Sequence, residues 1–522
     1  MSNPGARLPD TPTPRGTCVD HCVVNLLLAA AARDPGHVAL RRQHATWTYG
    51  DLVRGTAAAA ALLRNADLRA GDRVGLLFRN CPEYVAFFYG ALAAKAAVVP
   101  LNVHERANVL ALQLAHSGAR MVVGDPDHPE WQALLGAIPA GFPAFAIPCR
   151  DVESSAAAFY DEVGANLPGP LQAPPVACDD MAMLLYTSGT TGRPKGVMLS
   201  HGNLVENNRA IVRYLKLVPE DVGLAVMPFH FSYGNSVLHT HLAAGATLVL
   251  EDGLAYPHRV VRRFEEERVT GFSGVPSTFA ILMSRCRLEE HDLSSIRYLT
   301  QAGGAMTRAA IQRMRQLVPS ARLFVMYGQT EATARLTYLP PERLDERLGS
   351  IGVPLDGVEI QVRDPDGNEL PPGQTGELCA RGPNIMLGYW RDEEATRQVV
   401  VDGWLHTGDL AHRDEDGYLF VDGRIVEMIK VGSFRVSPLE VEEVLATLPG
   451  IAETAVASMP DELLGQAIKA VLVLRDGASL DEREVKAHCR ARLAAYKVPK
   501  VVEFARVLPR TSSGKIQRFK LS

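Results

Sequence analysis

Short apolar runs alternate with amphipathic stretches over the first two thirds of the chain, and the two periods predict different elements. Runs rich in Val, Leu, Ile and Met read as buried strands at Arg73–Phe78, Ala97–Asn102, Met121–Gly124, Met181–Leu185, Val197–Leu199, Gly223–Met227, Ala246–Leu250, Ser295–Thr300 and Arg322–Met326. Apolar positions three and four apart predict helices from Trp47 to Leu63, Pro82 to Ala94, Asn203 to Leu215, His258 to Glu267 and Arg308 to Leu317. Strand and helix in alternation imply layered α/β structure with largely parallel sheets, whose ligands sit beyond the carboxyl ends of the strands. Thr187 and Tyr327 both fall at such ends.

Beyond about residue 345 the texture changes. Val358–Val362, Gly376–Ala380 and Tyr418–Val421 are short strands between Gly, Pro and Asp turns, which predicts an antiparallel, β-barrel-like unit over about 345–422. After Gly423 it changes again. Ser437-Pro438-Leu439-Glu440 and Ser479-Leu480-Asp481-Glu482 both read as capping boxes that start helices, the first running to about Leu448. With strands expected at Thr454–Ser458 and Ala467–Leu474, the last hundred residues or so form a compact α+β unit. The expected division is a large domain over residues 1–424 and a small one over 425–522.

Composition narrows the class of protein. A chain of 522 residues with net charge −5 and both signs interspersed carries no nucleic-acid footprint and no polybasic membrane patch. The apolar run Val23–Ala32 is broken by Asn25 and is far shorter than the ~20 residues that cross a bilayer. Residues 1–16 are rich in Pro, Thr and Gly without a signal-peptide core and are expected to be disordered. A cytoplasmic protein, monomer or homodimer, is expected. Its eight scattered cysteines read as reduced thiols, Cys18 and Cys22 flanking His21 without a second ligand pair.

Candidate chemistry centres on Tyr186-Thr187-Ser188-Gly189-Thr190-Thr191-Gly192-Arg193-Pro194-Lys195-Gly196. Glycines allow close backbone approach, hydroxyls donate, and Arg193 and Lys195 add positive charge, so the loop suits a polyphosphate. Its spacing is not that of a Walker A loop. The residue order resembles the signature of the adenylate-forming superfamily, which comprises acyl- and aryl-CoA ligases, firefly luciferase and peptide-synthetase adenylation domains. The resemblance spans Thr48 to Lys520 with the motifs in the family's order.

That resemblance implies roles. ATP would be held by Thr187, Ser188, Gly189, Thr190, Thr191, Gly192 and Lys195, and by Tyr327-Gly328-Gln329-Thr330, whose tyrosine stacks on adenine and whose threonine contacts phosphate. Glu331 would ligate Mg²⁺, a hard cation that needs carboxylate oxygen and few other protein ligands. Asp409, in Trp404-Leu405-His406-Thr407-Gly408-Asp409, and Arg424 would take the ribose hydroxyls. Ala302-Gly303-Gly304 would lie against the adenine and line the acyl pocket with His230, Phe231 and Tyr233. Lys515, in Ser513-Gly514-Lys515-Ile516, resembles the catalytic lysine that bridges carboxylate and α-phosphate as pyrophosphate leaves. Such chemistry is mostly positioning and electrostatic stabilisation. Lys430 matches a lysine on the opposite face of a small mobile domain, which rotates between half-reactions, and Gly432-Ser433 matches the loop lining the thiol tunnel.

Departures from the pattern are Val426 at the hinge, usually Asp or Lys, Ser433 where a second glycine is common, and Lys95 at a position that is often glycine. His230 stands where amino-acid-activating domains place an aspartate for the ammonium group, which argues for an apolar acyl or aryl acid. The leading expectation is an acid–thiol ligase using ATP and Mg²⁺, with coenzyme A or the phosphopantetheine of a separate carrier protein as acceptor. An adenylating enzyme with an amine acceptor and a non-catalytic acyl-ligand sensor are the alternatives.

Overall fold

The computed structural model describes residues 21–152, 155–163, 170–187, 195–424, 428–431, 434–461, 465–493, 495–511, 514 and 516–521. Its largest sheet contains a parallel block, in which Arg322–Tyr327, Tyr298–Gln301, Gly271–Gly274, Val222–Ala225, Thr247–Leu250 and Val38–Arg42 lie side by side. Val38–Arg42 closes that edge by pairing antiparallel with Ala45–Thr48. Through Thr337–Leu339 and Ser350–Pro354 the same sheet continues into antiparallel strands Leu419–Arg424, Trp404–Arg413, Gly376–Arg381 and Glu359–Arg363. The antiparallel unit expected after residue 345 is thus hydrogen-bonded to the parallel block.

A second sheet runs Gly388–Tyr389, Lys195–Ser200, Met181–Thr187, Ala97–Pro100, Arg73–Leu77, Met121–Gly124 and Ala144–Ala146. Met181–Thr187 and Lys195–Ser200 pair antiparallel with Thr187 opposite Lys195, and residues 188–194 between them lie outside the described residues. The helices Tyr49–Asn65 and Pro82–Ala93 fill the space beneath. Every residue of Pro82–Ala93 is buried, as a sequence apolar but for Glu83 favours, and each large apolar side chain there contributes roughly 1.5–3 kcal/mol of burial.

Residues Ile429–Val431, Phe434–Val436, Ile451–Asp461, Gly465–Leu474 and Val501–Phe504 form a third sheet. It has its own core of Ile429, Val441, Leu445, Ile468, Leu472 and Val485. The architecture is therefore a large region of layered α/β sheets followed by a small α+β unit.

Two local expectations are corrected. Helix Pro438–Ala446 does start after Ser437, but the serine makes no side-chain cap and its Oγ is buried without a partner among the described residues. Glu440 cannot fold back on it because the Lys497 ammonium donates to both its oxygens, at 2.5 and 2.8 Å. The second box lies two residues downstream: Asp481 caps Glu482–Arg490 and exchanges hydrogen bonds with Glu484 at 2.9 and 2.8 Å. Asp is as good a cap as Ser, and the shift leaves Glu482 to pair with Lys486 one turn on, at 2.6 Å. No helix among the described residues is long and apolar enough to cross a membrane.

Candidate active site

The parallel strands end where the motifs begin. Strand Arg322–Tyr327 delivers Tyr327 to its carboxyl end, and the chain turns through Gly328 into a single helical turn, Thr330–Ala332. A side chain at Gly328 would strike the Ala334 carbonyl at 2.1 Å. Thr333 has φ +65°, an uncommon conformation for a β-branched residue, and its hydroxyl donates to the Asn384 carbonyl at 2.7 Å. Glu331 is presented by this constrained turn.

Glu331 does not stand alone. The Tyr389 hydroxyl donates to its Oε1 at 2.9 Å, and Lys195 Nζ lies 4.8 Å from the centre of the Tyr389 ring. Burial and the Glu331 carboxylate push the Tyr389 phenol above its ordinary value, so it stays a donor. Tyr389 thereby joins the flank of the signature hairpin to the expected metal ligand. No sequence signal singled it out, because a tyrosine in a two-residue strand resembles ordinary core.

At the expected ribose end, Asp409 is 3% exposed and accepts from the Tyr327 hydroxyl at 2.6 Å and from Arg424 Nε at 2.9 Å. Asp409 and Arg424 are directly opposite on paired strands. The pairing shifts between Glu377 and Cys379, and the slack is taken up by Thr407-Gly408. Gly408 has φ +72°, which favours glycine, and its N–H donates to Glu377 Oε1 at 3.1 Å, while His406 Nδ1 bonds Glu377 Oε2 at 2.8 Å. Glu377 was not anticipated; it holds both sides of Thr407 and so aims Asp409.

Between these two ends, Gln301 Nε2 donates to the Gly304 carbonyl at 2.6 Å and Gly303 has φ +83°. A side chain at Gly303 would meet Val275 Cγ1 at 3.0 Å, and Gly514 packs on the other side of the same valine and on Ser277. Gly514 thus lies against the start of helix Pro276–Arg285, on the valine that also borders Gly303. Lys515 itself lies outside the described residues, as do Ser188, Gly189, Thr190, Thr191, Gly192, Val426, Gly432 and Ser433. Lys430 is exposed on Ile429–Val431.

The expected acid side is built on the segment after Val222–Ala225. Asn80 clamps it, donating to the Met227 carbonyl and accepting from the Phe229 N–H, both at 3.0 Å. His230 is 5% exposed, its ring 4.3 Å from Phe231 and 6.3 Å from His104, and burial together with His104 lowers its pKa to about 3. It is a neutral imidazole whose Nε2 has no partner among the described residues. The Tyr233 hydroxyl bonds Thr300, at 2.8 Å to Oγ1, and Arg335 covers its ring at 4.3 Å. Ser232 Oγ lies 3.2 Å from Thr330 Oγ1, which brings the acid and phosphate segments together. Gln329 Nε2 is also buried without a partner among the described residues, so that both orphaned atoms belong to residues expected to meet ligand.

A layered α/β region with this constellation at its strand ends, capped by a small α+β unit, is the architecture of an adenylate-forming enzyme. Residues 27–390 match the AMP-binding enzyme family and residues 440–515 its C-terminal domain. The chain is 38% identical over 487 residues to a feruloyl-CoA synthase of Amycolatopsis sp, covering 93% of this chain and 95% of that one. Among solved structures it is similar to an anthranilate CoA ligase in complex with anthranoyl-AMP, with TM-score 0.88, 29% identity and 96% of each chain covered. It is similar too to an amide bond synthetase from Marinactinospora thermotolerans, with TM-score 0.85, 28% identity and 96% and 99% of the two chains covered. The chain belongs to the AMP-binding enzyme family. It is an AMP-forming acid–thiol ligase: it uses ATP to activate a carboxylic acid as acyl-AMP, releases pyrophosphate and passes the acyl group to a thiol.

Proposed function

We propose that the acid is an aryl acid of the ferulate type and that free coenzyme A, rather than a carrier protein, is the acceptor. The observation that carries the acid class is His230. A neutral, buried imidazole among aromatic rings gives an ammonium group no counter-charge, whereas its orphaned Nε2 can meet a phenolic or ring substituent. The resemblance to a feruloyl-CoA synthase supports the same reading. An ATP–pyrophosphate exchange screen over ferulate, cinnamate, long-chain fatty acids and α-amino acids tests it. Aryl acids are expected to lead, and a fatty or amino acid leading by a wide margin would sink the assignment. Replacing coenzyme A by holo carrier protein in the second step tests the acceptor.

In this reading Asp409 and Arg424 bind the ribose, Tyr327 and Gly303-Gly304 flank the adenine, and Thr187, Thr330 and Lys195 contact the phosphates with Ser188, Gly189, Thr190, Thr191 and Gly192. Gly328 and Gln329 shape the turn beneath the nucleotide. Glu331, a hard oxygen donor held by Tyr389, fits Mg²⁺, which takes one or two carboxylates and completes its shell with phosphate and water. Bound there, the ion would offset charge on the phosphates. Ala302, Phe231 and Tyr233 line the acid pocket with His230. Lys515 stabilises the developing charge at the α-phosphate. Residues 1–424 and 425–522 act as two bodies that turn about Arg424–Val426, and Lys430 with Gly432-Ser433 faces the site for thioester formation. The packing of Gly514 on Val275 and Ser277 supports a resting arrangement with the Lys515 loop at the pocket. A second reading adds an amine as acceptor for the same adenylate, favoured by the likeness to an amide bond synthetase; amide product from an added amine would support it.

A further inference from the structure

Beneath the acid pocket lies a thiol pair for which adenylation has no task. Cys81 caps helix Pro82–Ala93, its sulfur accepting from the Tyr84 N–H at 3.4 Å. The Cys149 thiol donates to that same sulfur across 3.0 Å. Glu83 is the third member, its carboxylate within 4.8 Å of both sulfurs, and all three residues are buried. Two guanidiniums stand close: Arg42, 1% exposed and paired with Asp151 and Asp252, and Arg79, whose Nη2 donates to the Cys149 carbonyl at 3.5 Å.

Two chemistries could use such a pair, and the geometry separates them. Thiolates on one tetrahedral zinc stand about 3.7 Å apart, given Zn–S bonds of about 2.3 Å, so these sulfurs would have to spread. Arg42 and Arg79 would repel the cation. A disulfide asks the sulfurs only to close by about 1 Å; burial and the Glu83 carboxylate push both thiols up, offset only in part at Cys81 by Arg42, so each step draws on a small thiolate fraction. We propose that Cys81 and Cys149 are a site of reversible disulfide formation, with a peroxide as oxidant. Cys149, 8% exposed, is the sulfur that peroxide reaches. Its thiolate attacks the O–O bond, giving a sulfenic acid and hydroxide. The Cys81 thiolate then attacks that sulfur and hydroxide leaves. In sum, two thiols and one hydrogen peroxide give one disulfide and two waters, the two electrons passing from sulfur to the peroxide.

The residues flanking Cys81 give the bond a consequence. Asn80 holds Met227 and Phe229, and the Tyr84 hydroxyl donates to the Phe229 carbonyl at 3.4 Å, one residue before His230. Drawing Cys81 toward Cys149 therefore pulls on the segment that shapes the acid pocket. This consequence rests on the pocket reading given above, whereas the cross-link does not.

The test uses the reduced full-length enzyme, treated with hydrogen peroxide, alkylated and digested with trypsin. Mass spectrometry should find residues 80–95 joined to residues 121–150, the linkage reversed by dithiothreitol and absent from Cys149→Ser. Cys81→Ser, which retains a capping hydroxyl, should lack it as well. The KM for the acid should change severalfold on oxidation of the wild type while that for ATP stays put. Separate alkylation of both cysteines after peroxide would overturn the proposal. So would one equivalent of zinc retained by the reduced enzyme and lost from Cys149→Ser. A cross-link that leaves acid KM unchanged would overturn the coupling to the pocket alone.

Discussion

The two ends of the site are finished to different degrees. At the expected ribose end the central polar groups have protein partners: Asp409 is held by Tyr327 and Arg424, and its strand is shaped by Glu377 through Gly408 and His406. At the expected acid and phosphate end, His230 Nε2 and Gln329 Nε2 are buried without a partner among the described residues. A pre-satisfied site holds the part of the substrate that never changes. Unsatisfied atoms, each costly to bury, mark where bonds are made and the partner varies with each step. Binding energy should therefore be concentrated at the first end, and rate and selectivity at the second.

The largest expected effect falls at the unfinished end. Lys515→Ala should lower adenylate formation by about 10²–10³-fold, the loss typical of one transition-state charge contact. KM for ATP should move little, and transfer from chemically supplied acyl-adenylate to coenzyme A should survive. Single-turnover rates of both half-reactions check this. Tyr327→Phe is the counterpart. It removes one hydrogen bond to a carboxylate, roughly 1.5–3 kcal/mol, and should raise KM for ATP by about tenfold or more with kcat nearly unchanged. If Tyr327→Phe lowered kcat and Lys515→Ala raised KM, the division between the two ends would collapse.

A titration sharpens the contrast. His230 is neutral in the fold with its pKa lowered to about 3, while the unfolded chain protonates it near the ordinary value of about 6.5. The unfolded state thus binds more protons below pH 6.5. The stability linked to His230 is complete above that pH and drains as pH falls toward 3. Between pH 6.5 and pH 5 the loss should be about 1.6 kcal/mol, and His230→Gln should remove that share of the slope. Urea unfolding at the two pH values measures it, and an unchanged slope in His230→Gln would mean that His230 is protonated in the fold.

What the sequence made legible follows the same divide. Strand ends and motif residues were readable because period and residue type are local properties: Arg308–Leu317 and Met121–Gly124 fall where their patterns put them. Partners supplied by distant segments were not readable. Glu377 and Tyr389 reach the site only because strands separated by many residues pair, and nothing near them in sequence announces it. The misplaced caps teach the same lesson locally. Ser437 loses Glu440 to Lys497, 57 residues away, so a tertiary ion pair overrides a four-residue motif.

Tyr389 gives the smallest effect and the most pointed test, since it belongs to neither motif yet touches both. Its hydroxyl orients the Glu331 carboxylate, and its ring carries the Lys195 charge on one face. Tyr389→Phe keeps the ring and deletes the hydroxyl, so the lysine contact stays while Glu331 gains rotational freedom. The cost is one hydrogen bond to a charged group, softened because water can replace the phenol at a partly open site, which leaves about 1 kcal/mol, or roughly fivefold in rate. If Glu331 serves the metal, the loss should appear as a higher Mg²⁺ requirement and shrink as Mg²⁺ is raised. Exchange rates for both proteins over a magnesium series decide it. A fivefold loss that persisted at saturating Mg²⁺ would mean that Tyr389 supports the hairpin rather than the carboxylate, and the assignment of Glu331 to the metal would lose its structural backing.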